Sequence, residues 1–460
     1  MRTYVEEKND NIQFQVSDIL IKKVVHLIKS KNDTATLDFF GEYHHADIAE
    51  ILDELNLEQA TYVIKLLDSE LTSDVLMELD EDDREKILEN LSAKEIAEEI
   101  DELDSDDAAD MIAELSEKRQ EDVIAHIENL EQVEVIKELL TYDDDVAGSL
   151  MAKELVSVNE NWTVTRCVKE MREQAENVTR VHSIYVTDND DRLIGRLSLK
   201  DLLMASPKAH ISSVYIPKVD SVNANEDIED VARVMQKYDL EAIPVIDDEQ
   251  VLLGRITIDD IVDVIKEEAE KDYQLAAGIT QDVEADDSII ELTRARLPWL
   301  FLGLIGGVGA FLIMVGFEGS FEEHAVLFFF TPLIAAMAGN VGVQSSAIIV
   351  QGLANDDVKG SINNRLIKEM MLAALNGIIL AMFLFLFVWA YEKEVLKALA
   401  ISVSLVVVII VAGLIGTFVP LFLNKRGIDP AIATGPFITT SNDIFGILIY
   451  FWIAKTILGI

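Results

Sequence analysis

Cysteine is almost absent: the 460 residues carry one, Cys167. A single cysteine excludes an internal disulfide and any thiolate cluster for zinc or iron–sulfur. Histidine is scarce at 7 residues, and beyond residue 293 only His324 is found. The opening residues MRTYVEEKND lack an apolar h-region, so no signal peptide is expected. No G-x-x-x-x-G-K-[ST] loop and no D-K-T-G phosphorylation motif occur, and no catalytic constellation stands out. An enzyme is not expected.

Positive charge is also in deficit, and unevenly so. Residues 1–293 hold 73 of the 83 acids and 28 of the 38 Lys and Arg, a balance of −45. Residues 294–460 hold 10 acids and 10 bases, a balance of zero. A strongly acidic soluble region is therefore joined to a neutral, apolar membrane region. The acidic surface repels nucleic acid and anionic headgroups and attracts cations; as an alternative it serves only to keep the region soluble. No nucleic-acid partner is expected.

From Leu55 an apolar residue recurs every twelve positions: Leu55, Leu67, Leu79, Leu91, Leu103, Leu115, Ile127 and Leu139. Each unit reads as a short amphipathic helix, with Asp80, Ser92, Asp104 and Ser116 as N-caps. Short helices at a fixed period predict an all-α superhelix whose members bury their faces on one another. We expect a tail over 1–19 and this helical domain over 20–148.

A duplicated unit follows at an offset of 59, pairing Ile184 with Ile243, Gly195 with Gly254 and Asp201 with Asp260. Each copy predicts β-α-β-β-α and resembles a CBS domain, here a tandem pair over 149–211 and 212–272. Gly195, Ser198 and Asp201 recur as Gly254, Thr257 and Asp260. In CBS domains such Ser/Thr and Asp residues hold the ribose of an adenine nucleotide, which makes Ser198, Asp201, Thr257 and Asp260 candidates for ATP. The alternative is a Ser/Thr turn with an acidic cap. A charged helix over 259–279 leads out, and a further helix over 280–296 is expected, giving a connecting segment of 273–296 before a membrane domain of 297–460.

Five spans are expected, approximately Leu297–Val315, Val326–Ala354, Ile367–Tyr391, Leu396–Leu423 and Pro436–Leu458, each long enough for a hydrocarbon core of about 30 Å. Arg294, Arg296, Lys359, Arg365, Lys368, Lys425 and Arg426 fall on one side, against Lys393 and Lys397 on the other. Positive charge marks the inner side. The N-terminus is expected in the cytoplasm and the C-terminus outside, in a multi-pass protein of the cell membrane surrounded by lipid.

Within the spans, Asp443 reads as the one deep acid, preceded by the polar run Thr439, Thr440, Ser441 and Asn442. Asn340 and Gln344 stand four apart on the second span, on one helical face. Gly339 and Gly342 permit close helix contact or a local break. Pro332, Pro420 and Pro436 can expose backbone carbonyls. A mid-bilayer carboxylate costs about 2.5–3.5 kcal/mol to insert. It could pair with a base, but Lys455 is twelve residues away, about 18 Å along a helix. It could be protonated and bonded to neighbouring amides. Or it lines a wet path and binds a cation, the default for such residues. The available ligands are all oxygens, which favours magnesium, calcium or manganese over zinc and copper. One carboxylate per chain suits an ion that keeps its water, as magnesium does.

Taken together, these parts resemble the MgtE family of magnesium channels over nearly the whole chain. The likeness is carried by 297-LPWL-300, 316-GFE-318, 332-PLIAAMAGNVGVQSS-346 and 429-DPAIATGPFITTSNDIFGILIY-450. The resemblance implies a homodimer with an axial pore, Asp443 binding hydrated magnesium there, and soluble domains that sense magnesium and close the pore. Opposed acidic surfaces repel, and divalent ions bridging them draw domains together. Asp260, Asp263, Glu268 and Asp272 match positions of bridging acids in the family, while Lys271 stands where a further acid is expected. Asp104, Asp106 and Asp107 are candidates in the helical domain, each equally readable as a cap. The expected function is a magnesium-selective channel gated by intracellular magnesium. The alternatives are a manganese, cobalt or calcium channel of the same build, or a membrane-tethered sensor that does not conduct.

Overall fold

A computed structural model describes residues 14–175, 178, 180–281, 283, 287–354, 358, 361–433 and 435–460. Lys359 and most of the expected N-terminal tail lie outside the described residues. The chain divides into two compact units, Met1–Ile265 and Lys266–Ile460.

The first unit begins with short helices, the first of them Asp18–Ser30. Six successive helices start at Leu57, Ser69, Glu81, Ala93, Ser105 and Glu117, which is the twelve-residue period. The periodic leucines mostly sit two or three residues past each helix end. Leu79, Leu91, Leu115 and Ile127 are buried there, in a core that runs from Val24 to Ile136. The turn residue thus folds back to seal the layer that its own helix opened.

The expected caps divide. Ser92 forms a capping box: its Oγ accepts from Glu95 N at 3.2 Å, and Glu95 Oε2 accepts from Ser92 N at 2.6 Å. Asp80, Asp104 and Ser116 occupy N-cap positions but make no side-chain cap bond. Arg84 is buried and ties the layers by donating to Glu114 and to the carbonyls of Leu76 and Met77.

The duplicated unit folds as two sheets. The first has the order β1 (Val156–Asn159), β2 (Ile184–Thr187), β3 (Leu193–Leu197) and β4 (Ile216–Pro217). The second has β5 (Val222–Asn223), β6 (Ala242–Ile246) and β7 (Leu252–Thr257). In each, the first pairing is parallel across a helix, Val164–Gln174 or Ile228–Tyr238, and the next is antiparallel. The offset of 59 survives in the register: Ile184 pairs with Leu197 as Ile243 pairs with Ile256. Thr163 and Asp227 cap the two crossover helices.

The helix Ile258–Ala277 leads out of the second copy. The further helix expected over 280–296 is not one element. Gly278, at φ +84°, stops the outgoing helix, with Ile279 N donating to Gln274 O at 2.9 Å and Gly278 N to Leu275 O at 3.0 Å. A new helix starts at Ile289, where Ser288 and Glu291 form a second capping box.

Among the described residues, five helical spans are long and apolar enough to cross a membrane: Ile289–Ser320, Val326–Ala354, Ile362–Glu392, Val395–Asn424 and Gly435–Leu458. The second breaks at Phe330 into Val326–Phe329 and Thr331–Ala354. The glycines Gly339 and Gly342 lie within the continuous piece and serve close contact, not a break. Pro332 and Pro436 fall in first turns, where the missing N–H leaves no carbonyl bare. Of these three prolines Pro420 sits deep in a helix, where it withholds a donor from the Gly416 carbonyl; Pro298 is likewise inside the first-span helix.

Candidate ion pathway and regulatory sites

Thr439 and Asp443 stand four apart on the fifth-span helix and therefore share a face. With Gly339, Asn340, Val343 and Gln344 of the second-span helix they line a cavity of about 380 Å³. The Asn340 and Gln344 side chains are exposed and Asp443 is half-buried. The three expected pore residues are thus brought together. Lys455 is no partner for Asp443, because its Nζ donates to Ser320 Oγ at 2.9 Å. Among the described residues Asp443 accepts no protein hydrogen bond, so a carboxyl satisfied by neighbouring amides is not what the structure holds.

Asp443 is not the only acid engaged within the helices. Glu369, on the third-span helix Ile362–Glu392, accepts from Ser345 Oγ at 2.6 Å and lies against Gly413. The sequence reading did not single it out. In the same unit, Asp272 is half-buried, and its carboxyl is pushed above the usual range by burial, then by the charge of Asp429. Glu268 beside it pairs with Lys271 at 2.9 Å.

In the first unit, Asp104, Asp106 and Asp107 of the helical domain meet Asp260 and Asp263 of the second CBS copy around a cavity of about 800 Å³. Asp104 faces Arg255 at 3.5 Å in place of capping its helix. The Arg255 Nε donates to the Glu154 carbonyl at 2.5 Å, and Glu154 Oε2 accepts from Ser105 Oγ at 2.8 Å. Burial is the main cause that raises the carboxyls here. Asp107 is pushed up to about 7, helped by Asp260. Asp110, one turn on, also reaches about 7, with Arg84 opposing the rise. Asp106 is raised well above its ordinary range by burial and by Asp107. Among the described residues no three Asp, Glu, His or Cys side chains gather tightly enough to hold a bare metal ion. The donor set is nonetheless dominated by carboxylates and wide, with His45 and His182 also in the lining, which fits an ion that keeps its waters. Of the regulatory candidates, Asp260 and Asp263 join this cavity; Glu268 and Asp272 belong to the other unit. Arg255 and Glu154 were missed. The Gly-Arg pair repeated at 195–196 and 254–255 was the available signal.

The two CBS motifs have diverged. Ser198 and Asp201 line a cavity of about 460 Å³ with Arg196, Lys200 and His182. Thr257 and Asp260 instead face the acidic cavity, where Asp260 Oδ2 accepts from Thr257 Oγ1 at 2.6 Å and Thr257 N at 3.0 Å. A basic rim suits phosphates; an acidic one does not. The first copy is therefore the one whose residues fit a nucleotide.

Comparison with known proteins gives three family matches along the chain. Residues 331–453 match MgtE, described as a divalent cation transporter. Residues 43–145 match the MgtE intracellular N domain, and 146–208 and 211–267 match the CBS domain. The magnesium transporter MgtE of Enterococcus faecalis is 35% identical over 69% of this chain and 70% of its own length. The magnesium transporter MgtE of Thermus thermophilus is 34% identical over 70% and 72% respectively. Among solved structures, the cytosolic domain of the Mg2+ channel MgtE in complex with ATP is 31% identical, covering 53% of this chain and 100% of that one, with a TM-score of 0.51.

Proposed function

The chain belongs to the MgtE family of magnesium transporters, and from that premise we propose that it is a homodimeric, magnesium-selective channel gated by magnesium at its acidic domains. It is a transporter and not an enzyme. The observation that carries the pore reading is the cavity joining Asp443 to Asn340 and Gln344. Polar side chains left exposed on spanning helices face water or another chain, not lipid. A second copy across a twofold axis would bring a second Asp443 and close a path around them. Two carboxylates and four amides give a lightly charged, all-oxygen ring. Such a ring holds a hydrated ion without stripping its water, the way magnesium is commonly held. The driving force is the membrane potential, about 2.3 kcal/mol per charge per 100 mV and twice that for a divalent ion. The bias of positive loops orients the acidic domains inward, with the C-terminus outside the cell membrane.

The regulatory reading rests on Asp104, Asp106, Asp107, Asp260 and Asp263 sharing one cavity, and on Asp272 with Asp429 near the membrane domain. Magnesium with its waters would relieve the repulsion in each. ATP is the ligand assigned to the Ser198 and Asp201 pocket: Asp201 would take a ribose hydroxyl, and Arg196 and Lys200 the phosphates.

The test is magnesium flux into proteoliposomes, with magnesium varied on the side of the soluble domains. Wild type should conduct, and flux should fall as that magnesium rises; Asp443→Asn should abolish conduction. Wild-type flux through Asp443→Asn would sink the pore assignment. A wild type that binds magnesium but never conducts would make the chain a tethered sensor. Competition by manganese, cobalt and calcium decides the selectivity.

A further inference from the structure

Neighbours on a helix point about 100° apart, since a turn takes 3.6 residues. If Asp443 faces the cavity, the residue before it must face something else. Asn442 is 1% exposed. Its Nδ2 donates to the Ala338 carbonyl of the second-span helix at 3.2 Å. Its Oδ1 finds no donor among the described residues. The space for this amide is made by Gly342, one turn past Ala338, where a Cβ would come within 1.9 Å of Asn442 Nδ2. Ala338 and Gly342 therefore form a notch that accepts the Asn442 amide, while Asn340 and Gln344 on the same helix look into the cavity.

Stability alone does not account for this choice. A buried acceptor left unpaired costs about 1–3 kcal/mol. A leucine, with the same number and branching of side-chain heavy atoms, would avoid that cost in the same bundle. What the amide adds is direction: one bond to one carbonyl fixes both the height and the rotation of the fifth-span helix against the second.

We propose that Asn442 is a positioning residue for ion selection, holding Asp443 at a set distance from Asn340 and Gln344. The inference rests on Asp443 being the pore carboxylate. A helical rotation of about 10–20°, the tolerance of a functional constellation, swings a group about 5–6 Å from the axis by about 1–2 Å. Magnesium and calcium differ in their oxygen distances by only about 0.2–0.6 Å. Loss of the Asn442 bond therefore degrades the discrimination between them.

The experiment compares wild type, Asn442→Leu and Asn442→Met in proteoliposomes, with Ser402→Ala as a control for an unpartnered buried hydroxyl on the fourth span. Both apolar variants should keep wild-type thermal stability. Their half-saturating magnesium should rise on the order of tenfold, as when a group that orients a metal ligand is lost. Calcium should begin to compete, and Ser402→Ala should match wild type. Two well-folded variants with wild-type half-saturation and no calcium competition would show that Asn442 only packs. If Leu misfolds, Met alone decides by the same readouts. A wild type that carries no magnesium would overturn the transport reading itself, an outcome distinct from unchanged variants in a conducting protein.

Discussion

Replacing Gly416 by alanine should push the fourth-span helix away from the second-span helix, which carries one side of the proposed pore wall. A Cβ at Gly416 would lie 2.3 Å from the Gly342 carbonyl oxygen and 3.1 Å from its carbonyl carbon and Cα. Those atoms are backbone and cannot rotate away. Ordinary C···O approach is about 3.3–3.6 Å, so the fourth-span helix must retreat by about 1 Å. Overpacking of this kind costs about 1–3 kcal/mol. The intrinsic gain of alanine over glycine in a helix, about 1 kcal/mol, must be removed from the comparison. Gly307→Ala does so, since a Cβ there meets nothing within 4 Å. Relative to Gly307→Ala, Gly416→Ala should melt roughly 2–12 °C lower, taking about 2–4 °C per kcal/mol for a unit of this size. Magnesium flux should fall with it, because Gly342 is also the seat of Asn442. Melting curves of the detergent-solubilised full chain and flux in liposomes provide the assay. A Gly416→Ala protein as stable and as conductive as Gly307→Ala would refute the packing argument.

Two further outcomes concern the soluble unit. Glu99 is pushed up to about 7, first by burial, while its bond from Ser69 opposes the rise and the charges of Glu98, Glu102 and Asp68 add to it. A raised carboxyl means that the folded state holds the proton more tightly than the unfolded chain. The stability it lends is complete below its ordinary value of 4.5 and is lost as pH climbs through 7. Discounted for partial exposure, wild type should lose about 1 kcal/mol between pH 6 and 8 that Glu99→Gln does not; parallel melting curves across that range would refute it. Arg255→Met removes the cation facing Asp104, so without divalent ions the helical domain should be cleaved faster by protease. The protection that magnesium gives should then be larger than in wild type, and equal protection in both proteins would refute the role given to Arg255.

The legible parts of this fold were those set by local pattern. A leucine every twelve residues fixes one helix and one turn per repeat, and six helices start on that beat. The offset of 59 fixes strand register because side chains alternate with a period of two. The five spans follow from length and hydropathy. What escaped was set by distant partners. Asp104 has a cap's position and composition, yet it faces Arg255, 151 residues further along the chain. Glu369 looks like the polar start of a span until Ser345 and Gly413 arrive beside it. The break at Gly278 was local and readable in principle: a glycine after a helix, then a Ser-x-x-Glu box at Ser288. It was obscured by a run of charges that suits a helix equally well.

In the proposed function, the acidic cavity and the pore would hold their ion by the same economy of ligands. Around the cavity seven aspartates and two glutamates stand with Arg255, Arg180 and two histidines, and Asp107 is pushed up to about 7. At neutral pH such a group is neither safely protonated nor comfortably charged. A divalent ion relieves this only if it reaches several carboxylates at once, and among the described residues no three are close enough to strip its shell. It must therefore bind through water, and weakly: sparse, loose carboxylate sets in calcium modules give dissociation constants of about 10⁻⁴–10⁻³ M. A weak site suits a sensor of an abundant ion, because occupancy then changes over the range in which that ion varies. It also suits a pore, where Asp443 with two amides can attract a hydrated divalent ion and still release it. A tight, dehydrating cage in either place would bind once and neither report nor conduct. The soluble region's charge of −45 raises the local cation concentration at such weak sites without adding a single direct ligand.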